Sequence, residues 1–297
     1  MESTAKFYDI AFIGHYTKDT IVSASGTRII DGGAFNYGAN VAARMSLKVA
    51  AVTRLAKEDL GVVEKLKHLG VDLFVHISPK STCLRLEYPT SNLDERIIYV
   101  KSSAGAFTPA EVEKIQARAI VISASMRDEV GLEVIKELTK KKTILAADVQ
   151  SFIRVNYNGK LVPKEWPEKQ LILSHIKVLK TDAVEAEILT GTSNIREAAQ
   201  KISDLGPQEV IITHRNGLLV YTDGQFHEKN FFPNQLIGRS GRGDTCIAAY
   251  IAKRLSTSPQ EATIWAAAVT SLKMEAEGPF QRTIEEVNHL IRTKYRN

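Results

Sequence analysis

The chain has 297 residues, 44% hydrophobic and 25% charged, with a formal charge of +5 and a pI near 9.0. That length supports one sizeable core, or one core with a small appendage, and the composition is that of an ordinary soluble globular protein. Cys83 and Cys246 lie far apart and outside any metal-ligand spacing, no apolar run nears the roughly 20 residues of a membrane span, and the basic residues are scattered.

Neither a disulfide framework, a zinc site, a membrane nor a nucleic-acid partner is therefore expected, and Lys140-Lys141-Lys142 reads as a solvated helix end. Residues 1–6 carry no signal-peptide apolar core, so a reduced, cytoplasmic setting is the expectation. A β-rich run at 8–13 comes first, then a β-like stretch at 20–30 ending on Asp31-Gly32-Gly33, then a helical pattern at 35–45. Short β-rich or apolar runs at 49–54, 119–124, 143–148, 176–179 and 209–213 follow, with helical patterns between most of them at 57–69, 128–140, 182–189 and 195–205. This is the rhythm of a mostly parallel α/β sheet covered by helices on both faces. Helical patterns at 244–255, 259–273 and 283–295 close the chain, the second largely apolar and so expected to be buried. The rhythm breaks at 20–30 and at the pair 82–88 and 96–101, joined by a polar loop at 89–95. These read as strands without crossover helices, either an antiparallel flap or an edge hairpin. No internal repeat or low-complexity linker divides the chain, and 1–297 reads as one domain.

The most informative stretch is Gly241-Arg242-Gly243-Asp244, a glycine-rich turn opening a helix. Two glycines let backbone amides converge on an anion, and the helix dipole adds positive potential at the same point. A carboxylate in that first turn is placed to take a proton from a hydroxyl beside a bound phosphate, the geometry of phosphoryl transfer. An N-capping Asp after a tight turn explains the same stretch. A dinucleotide fingerprint does not fit, because Gly238-x-x-Gly241-x-Gly243 has the wrong spacing and lies near the C-terminal helices.

With Gly32-Gly33 and the upstream Asp19, the chain resembles the PfkB/ribokinase family of small-molecule kinases over nearly its whole length. The matching pieces are Gly14 and Asp19, Gly32-Gly33 with Tyr37-Gly38-Ala39, the turn at 56–61, Asp182-x-x-Glu185 with Leu189-Thr190-Gly191, and Gly241 to Asp244. The resemblance implies a ribokinase-like fold with a small β lid drawn from about 20–31 and 82–101. It also implies ATP and Mg2+ as cofactors and a small sugar or polyol as acceptor. In some members lids from two subunits pair, so a homodimer through the lid is an expectation.

The resemblance also distributes roles. Asp244 matches the catalytic base, and Gly241, Arg242 and Gly243 match the anion hole, with Arg242 standing where the family usually has a small residue. Two readings of Arg242 stand: its guanidinium holds phosphate, or it points to solvent. Asp182 and Glu185 resemble the N-x-x-E element on the nucleotide side, whose Glu organises magnesium, usually through water; a plain helix N-cap at Thr181 or Asp182 explains the same residues. Thr213 and Gly217 flank a turn that lies near the nucleotide in the family, here shorter and without its middle glycine. Asp19, Gly32, Gly33 and Tyr37 fall on the acceptor side. The segment from Asp148 to Arg154 is similar to an element of the archaeal and plant myo-inositol kinase branch, with Ser151 in place of its glycine. That puts Gln150 and Arg154 on the acceptor side, against a reading of a loop cap and a surface cation. Many relatives bind a monovalent cation through an Asp three residues before the first anion-hole glycine; Gly238 stands there, so weak or absent potassium activation is expected unless backbone carbonyls build a site.

The sequence thus points to ATP-dependent phosphorylation of a sugar or polyol hydroxyl, with myo-inositol first. The alternatives are a nucleoside kinase and a non-catalytic protein that senses a sugar or nucleotide.

Overall fold

The computed structural model describes residues 6–24, 26–90 and 96–296. Residues 91–95 of the expected polar loop and 1–5 of the N-terminal stretch lie outside them. In chain order the strands are β1 Phe7–Ile13, β2 Thr17–Ser23, β3 Gly26–Gly32, β4 Val49–Leu55, β5 Asp72–Ile77, β6 Thr82–Glu87, β7 Ile97–Ser102 and β8 Gln116–Ile122. They continue as β9 Ile144–Asp148, β10 Arg154–Tyr157, β11 Lys160–Pro163, β12 Val178–Asp182, β13 Glu209–Thr213, β14 Gly217–Thr222 and β15 Gln225–Asn230.

Nine of these strands form one sheet in the order β15-β14-β13-β12-β9-β8-β1-β4-β5. It is parallel from β13 through β5, and only β14 and β15 run antiparallel at one edge. Alternation along the strands sends side chains to two cores, as the two-residue period requires. Ile10 and Phe12 of β1, Val49 and Ala51 of β4 and Ile211 of β13 face one core, while Ala11, Ile13, Ala50, Val52, Val210 and Ile212 face the other. The first core is closed by the helices Ala34–Arg44, Gly61–Lys67, Arg242–Arg254, Pro259–Met274 and Ile284–Lys294. The second is closed by Leu132–Thr139, Lys169–Leu173, Ala183–Thr190 and Ile195–Ser203.

The other six strands form a second sheet in the order β10-β11-β7-β6-β2-β3. Its apolar side, with Ile21, Leu84, Leu86 and Met126, makes a third, smaller core. The β-like stretch at 20–30 is in fact a hairpin, β2 and β3, and the pair at 82–88 and 96–101 forms β6 and β7 beside it. The hairpin β10–β11, which extends this sheet, was not among the expected elements. It carried a recognisable signal: Asn158-Gly159 takes positive φ at both positions (50° and 80°), the two-residue turn that matches strand twist. Elsewhere boundaries move. The run at 57–69 is a 3-10 turn, Lys57–Asp59, followed by Gly61–Lys67, and the strand expected at 176–179 continues to Asp182.

Candidate active site

The carboxyl ends of β1, β8, β9, β12 and β13 lie along one edge of the large sheet, where open α/β sheets bind ligands. The helix Arg242–Arg254 starts against this edge. Gly241 is its N-cap in the left-handed region (φ 73°) and provides no side-chain cap. Thr245 N–H bonds back to Gly241 O at 2.9 Å, so the amides of Gly243 and Asp244, just before it in the first turn, have no intrahelical acceptor. They are donors held ready for an anion. The first turn is packed from below: a Cβ on Gly241 would overlap the Tyr37 ring, and one on Gly243 would overlap Lys180 Nζ.

Asp244 sits in that first turn and accepts a hydrogen bond from Ser123 Oγ at 2.7 Å, from the residue that follows β8. Arg242 lines the cavity at this turn, and its Nη1 is buried without a partner among the described residues. Of the two readings of Arg242, the structure shows the guanidinium turned into the site; burial pushes its pKa down.

On the lid side, Asp19 of β2 is 8% exposed, and its Oδ1 is buried with no hydrogen-bond partner among the described residues. Burial raises its pKa to about 6, against opposing contributions from Thr17 and Arg96, while the charge on Asp244 adds to the rise. Gly32 packs directly on the Asp19 carboxylate and Gly33 on His15 O. The Tyr37 hydroxyl is likewise buried and unpartnered among the described residues, and burial, then Asp19 and Asp244, push its pKa upward. Among the described residues two buried polar groups, Asp19 Oδ1 and Tyr37 Oη, are thus left without a partner, both close enough to Asp244 to feel its charge.

Under the anion turn lies a buried ionic network. Lys180 Nζ donates to Asp148 Oδ2 at 2.8 Å, with both side chains at most 4% exposed, and Asp148, Glu185 and Asp182 together keep the lysine protonated. Arg154 Nη2 donates to Glu185 Oε1 at 2.8 Å. Asp182 caps the helix Ala183–Thr190: its carboxylate accepts from Glu185 N at 2.8 Å, and Glu185 Oε2 accepts from Asp182 N at 3.1 Å. This is a reciprocal capping box, so the N-cap reading of these residues holds and both Glu185 oxygens are engaged. Arg154, expected on the acceptor side, lines the cavity while paired with Glu185. Gln150 Nε2 donates to Ala124 O at 3.2 Å, and Ser151 Oγ accepts from Ala124 N at 2.8 Å, so Ser151 braces the loop that carries Ser123.

One cavity of about 470 Å³ is lined by Gln150, Arg154, Lys180, Glu185, Arg242 and Asp244, together with Lys160 and Leu161 of β11; Asp19 and Tyr37 do not line it. Thr213 reaches this cavity, and its hydroxyl donates to Thr181 O at 3.4 Å. Gly217 does not line it; β15 backbone passes so close that a Cβ would strike Lys229 O, which accounts for the glycine by strand packing. A neighbouring pocket of about 390 Å³, lined by Phe231, Phe232, Leu236 and Met274, shares Arg239 with the cavity.

Sequence reasoning missed Ser123, Lys180 and Lys273. For the two lysines a signal existed, a single cation inside an otherwise apolar strand or helix, which is buried only when something pairs with it. Ser123 carried none.

The model of the pfkB family carbohydrate kinases matches residues 9–283. A solved pyrophosphate-dependent kinase in the ribokinase family, complexed with a pyrophosphate analog and myo-inositol, is 34% identical, with a TM-score of 0.87 over 94% of this chain and 99% of that one. A structure describing the conversion of a pyrophosphate-dependent myo-inositol-1 kinase into a myo-inositol-3 kinase by a double substitution is 33% identical, with a TM-score of 0.86 over 96% and 99%. Cytidine kinase of Thermococcus kodakarensis is 24% identical over 258 residues, 82% of this chain and 87% of that protein.

Proposed function

The chain belongs to the pfkB family of carbohydrate kinases, phosphotransferases that act on hydroxyl groups, and from that premise we propose that it phosphorylates myo-inositol or a closely related ring polyol. The observation that carries the reading is the pair of orphaned polar groups, Asp19 Oδ1 and Tyr37 Oη, beside an Asp244 that stands in the first turn of an uncapped helix. Asp19 accepts hydrogen bonds from acceptor hydroxyls and so orients the ring. Asp244, held by Ser123, takes the proton of the attacking hydroxyl as its bond to phosphorus forms. The amides of Gly243 and Asp244, at the positive end of the helix dipole, hold the equatorial oxygens of the transferred group. Gln150 and Arg154 act from the wall of the cavity, and Gly32 and Gly33 keep the acceptor floor low.

The donor in this reading is pyrophosphate. Arg154, Lys160, Lys180, Arg239 and Arg242 line one cavity and outnumber its carboxylates, Asp182, Glu185 and Asp244, a balance of positive charge suited to a compact polyanion. ATP, which the family resemblance implies, is a second reading, favoured by the apolar pocket at Phe231, Phe232 and Met274 that adjoins Arg239 and has room for a base. In that reading Asp182, Thr213 and Gly217 would neighbour the nucleotide.

Magnesium suits either donor. Both Glu185 oxygens are engaged, and no three His, Cys, Asp or Glu side chains form a cage among the described residues, as befits an ion held mainly by phosphate and water. Glu185 would meet it through water, and the ion would neutralise charge on the donor phosphates. A homodimer through the lid would use the free edge of β3, where Ile29 is 65% exposed; sedimentation of wild type and Ile29→Lys tests it.

The deciding experiment measures kcat/KM for myo-inositol, ribose, fructose, adenosine and cytidine with pyrophosphate, ATP and tripolyphosphate, each with magnesium. A nucleoside winning by a wide margin removes the polyol reading. A margin for ATP over pyrophosphate removes the donor assignment. Stabilisation by ligands without turnover makes the protein a sensor.

A further inference from the structure

Lys273 is the one basic residue of the helix Pro259–Met274, and it is 2% exposed. Its ammonium donates to Gly238 O at 3.1 Å and Ser240 O at 2.5 Å, carbonyls of the segment that leads into Gly241. No carboxylate forms an ion pair with it among the described residues, which is an expensive way to bury a charge. Met274 O accepts from Ile237 N at 2.9 Å and Gly238 N at 3.1 Å, so the end of this helix grips the segment by both its amides and its carbonyls. Lys273 Nζ also lies 5.6 Å from the centroid of the Tyr37 ring, the ring on which Gly241 rests. One ammonium therefore touches both supports of the anion turn.

We propose that Lys273 is a built-in cation of the anion hole: it fixes the Gly238 and Ser240 carbonyls so that the Gly243 and Asp244 amides face the transferred phosphoryl group, and it adds positive charge behind them. It is a positioning residue, because it acts through the Gly238 and Ser240 carbonyls to which its ammonium donates. Burial lowers its pKa to about 8, while Asp244 and Glu277 face it and favour its charged form and Arg242 opposes. The inference rests on the kinase reading. It also predicts that the wild-type enzyme needs no added monovalent cation, since the chain carries its own.

The test is cation rescue. A cavity of about 400 Å³ lined by Ile21, Ile30, Tyr88, Gly238 and Ser240 reaches Lys273, so a small ion has a route to the carbonyls once the side chain is shortened. Wild type should turn over equally in sodium, potassium and ammonium. Lys273→Ala should lose kcat by about 10²–10³, the cost of a lost anion-hole donor, with little change in acceptor KM. Ammonium, methylammonium or potassium should restore at least tenfold of it, and tetramethylammonium should not. Lys273→Met, which fills the space without charge, should lose kcat and resist rescue. Unchanged kcat in both variants, or a loss that no cation repairs, overturns the proposal. If Lys273→Ala melts below assay temperature, stabilisation by ammonium or potassium over tetramethylammonium supports it, and identical melting in all salts overturns it. If wild type turns over no acceptor, the kinase reading has failed, and inorganic phosphate decides the inference by itself. Stabilisation of wild type but not Lys273→Met by phosphate supports the built-in cation, and equal or absent stabilisation in both overturns it.

Discussion

The ring of Tyr37 lies so close under Gly241 that a Cβ at that glycine would occupy the ring edge. Gly241 also holds φ at 73°, where an L side chain is strained. Gly241→Ala should therefore push the turn off Tyr37, destabilise the protein by about 1–3 kcal/mol and lower kcat by about 10² as the amides misalign. Thermal melts and steady-state kinetics check both halves. A variant with wild-type kcat would take the turn out of phosphate binding.

Asp244 is joined to the rest of the site by its bond from Ser123, which the amide of an asparagine can also accept. Asp244→Asn should keep the fold and the melting temperature while kcat falls by about 10²–10⁴, the usual cost of a missing general base. Ser123→Ala should cost less, because it leaves the carboxylate in place. Single-turnover rates separate this from slow product release.

Asp19 makes the site sensitive to pH in a direction that can be worked out. Its pKa rises from 3.8 to about 6 on folding, so between those values the native state holds more protons than the unfolded chain. Stability from this group is then fully present below about pH 4 and is lost as pH rises through about 6. Asp19→Asn should raise the melting temperature of the ligand-free protein at pH 7.5, while acceptor KM rises sharply. In wild type, kcat/KM for the acceptor should fall as pH drops below about 6, since a protonated Asp19 accepts fewer hydrogen bonds. A flat profile between pH 5 and 7.5 would detach Asp19 from the acceptor.

Arg154 and Glu185 form a pair whose side chains are 19% and 7% exposed. Arg154→Met would strand the Glu185 carboxylate, and the loss should be about 3 kcal/mol, the low end for a broken buried pair because the guanidinium keeps some water contact. Donor KM should rise with acceptor KM little changed, which urea melts and two-substrate kinetics resolve. If acceptor KM rises instead, Arg154 belongs to the polyol side.

The chain carries much of this in short, contiguous patterns. Alternating β and helical periods foretell a sheet covered on both faces, because two-residue and 3.6-residue periods are local properties of the backbone. Gly241 and Gly243 around Arg242, followed by Asp244, mark an anion turn for the same reason: the glycines, the amides and the helix dipole all lie within one turn. Asn158-Gly159 was equally local and announced the β10–β11 hairpin. What only the tertiary structure decided are contacts between residues far apart in sequence. Ser123 meets Asp244 across 121 positions, Lys180 meets Asp148 across 32, and Lys273 meets Gly238 across 35. Parallel strands need crossovers, so their carboxyl ends gather residues from distant segments, and no spacing rule relates the members of such a group. Residue type foretold that a glycine turn would bind an anion; only packing shows which buried cations stand behind it.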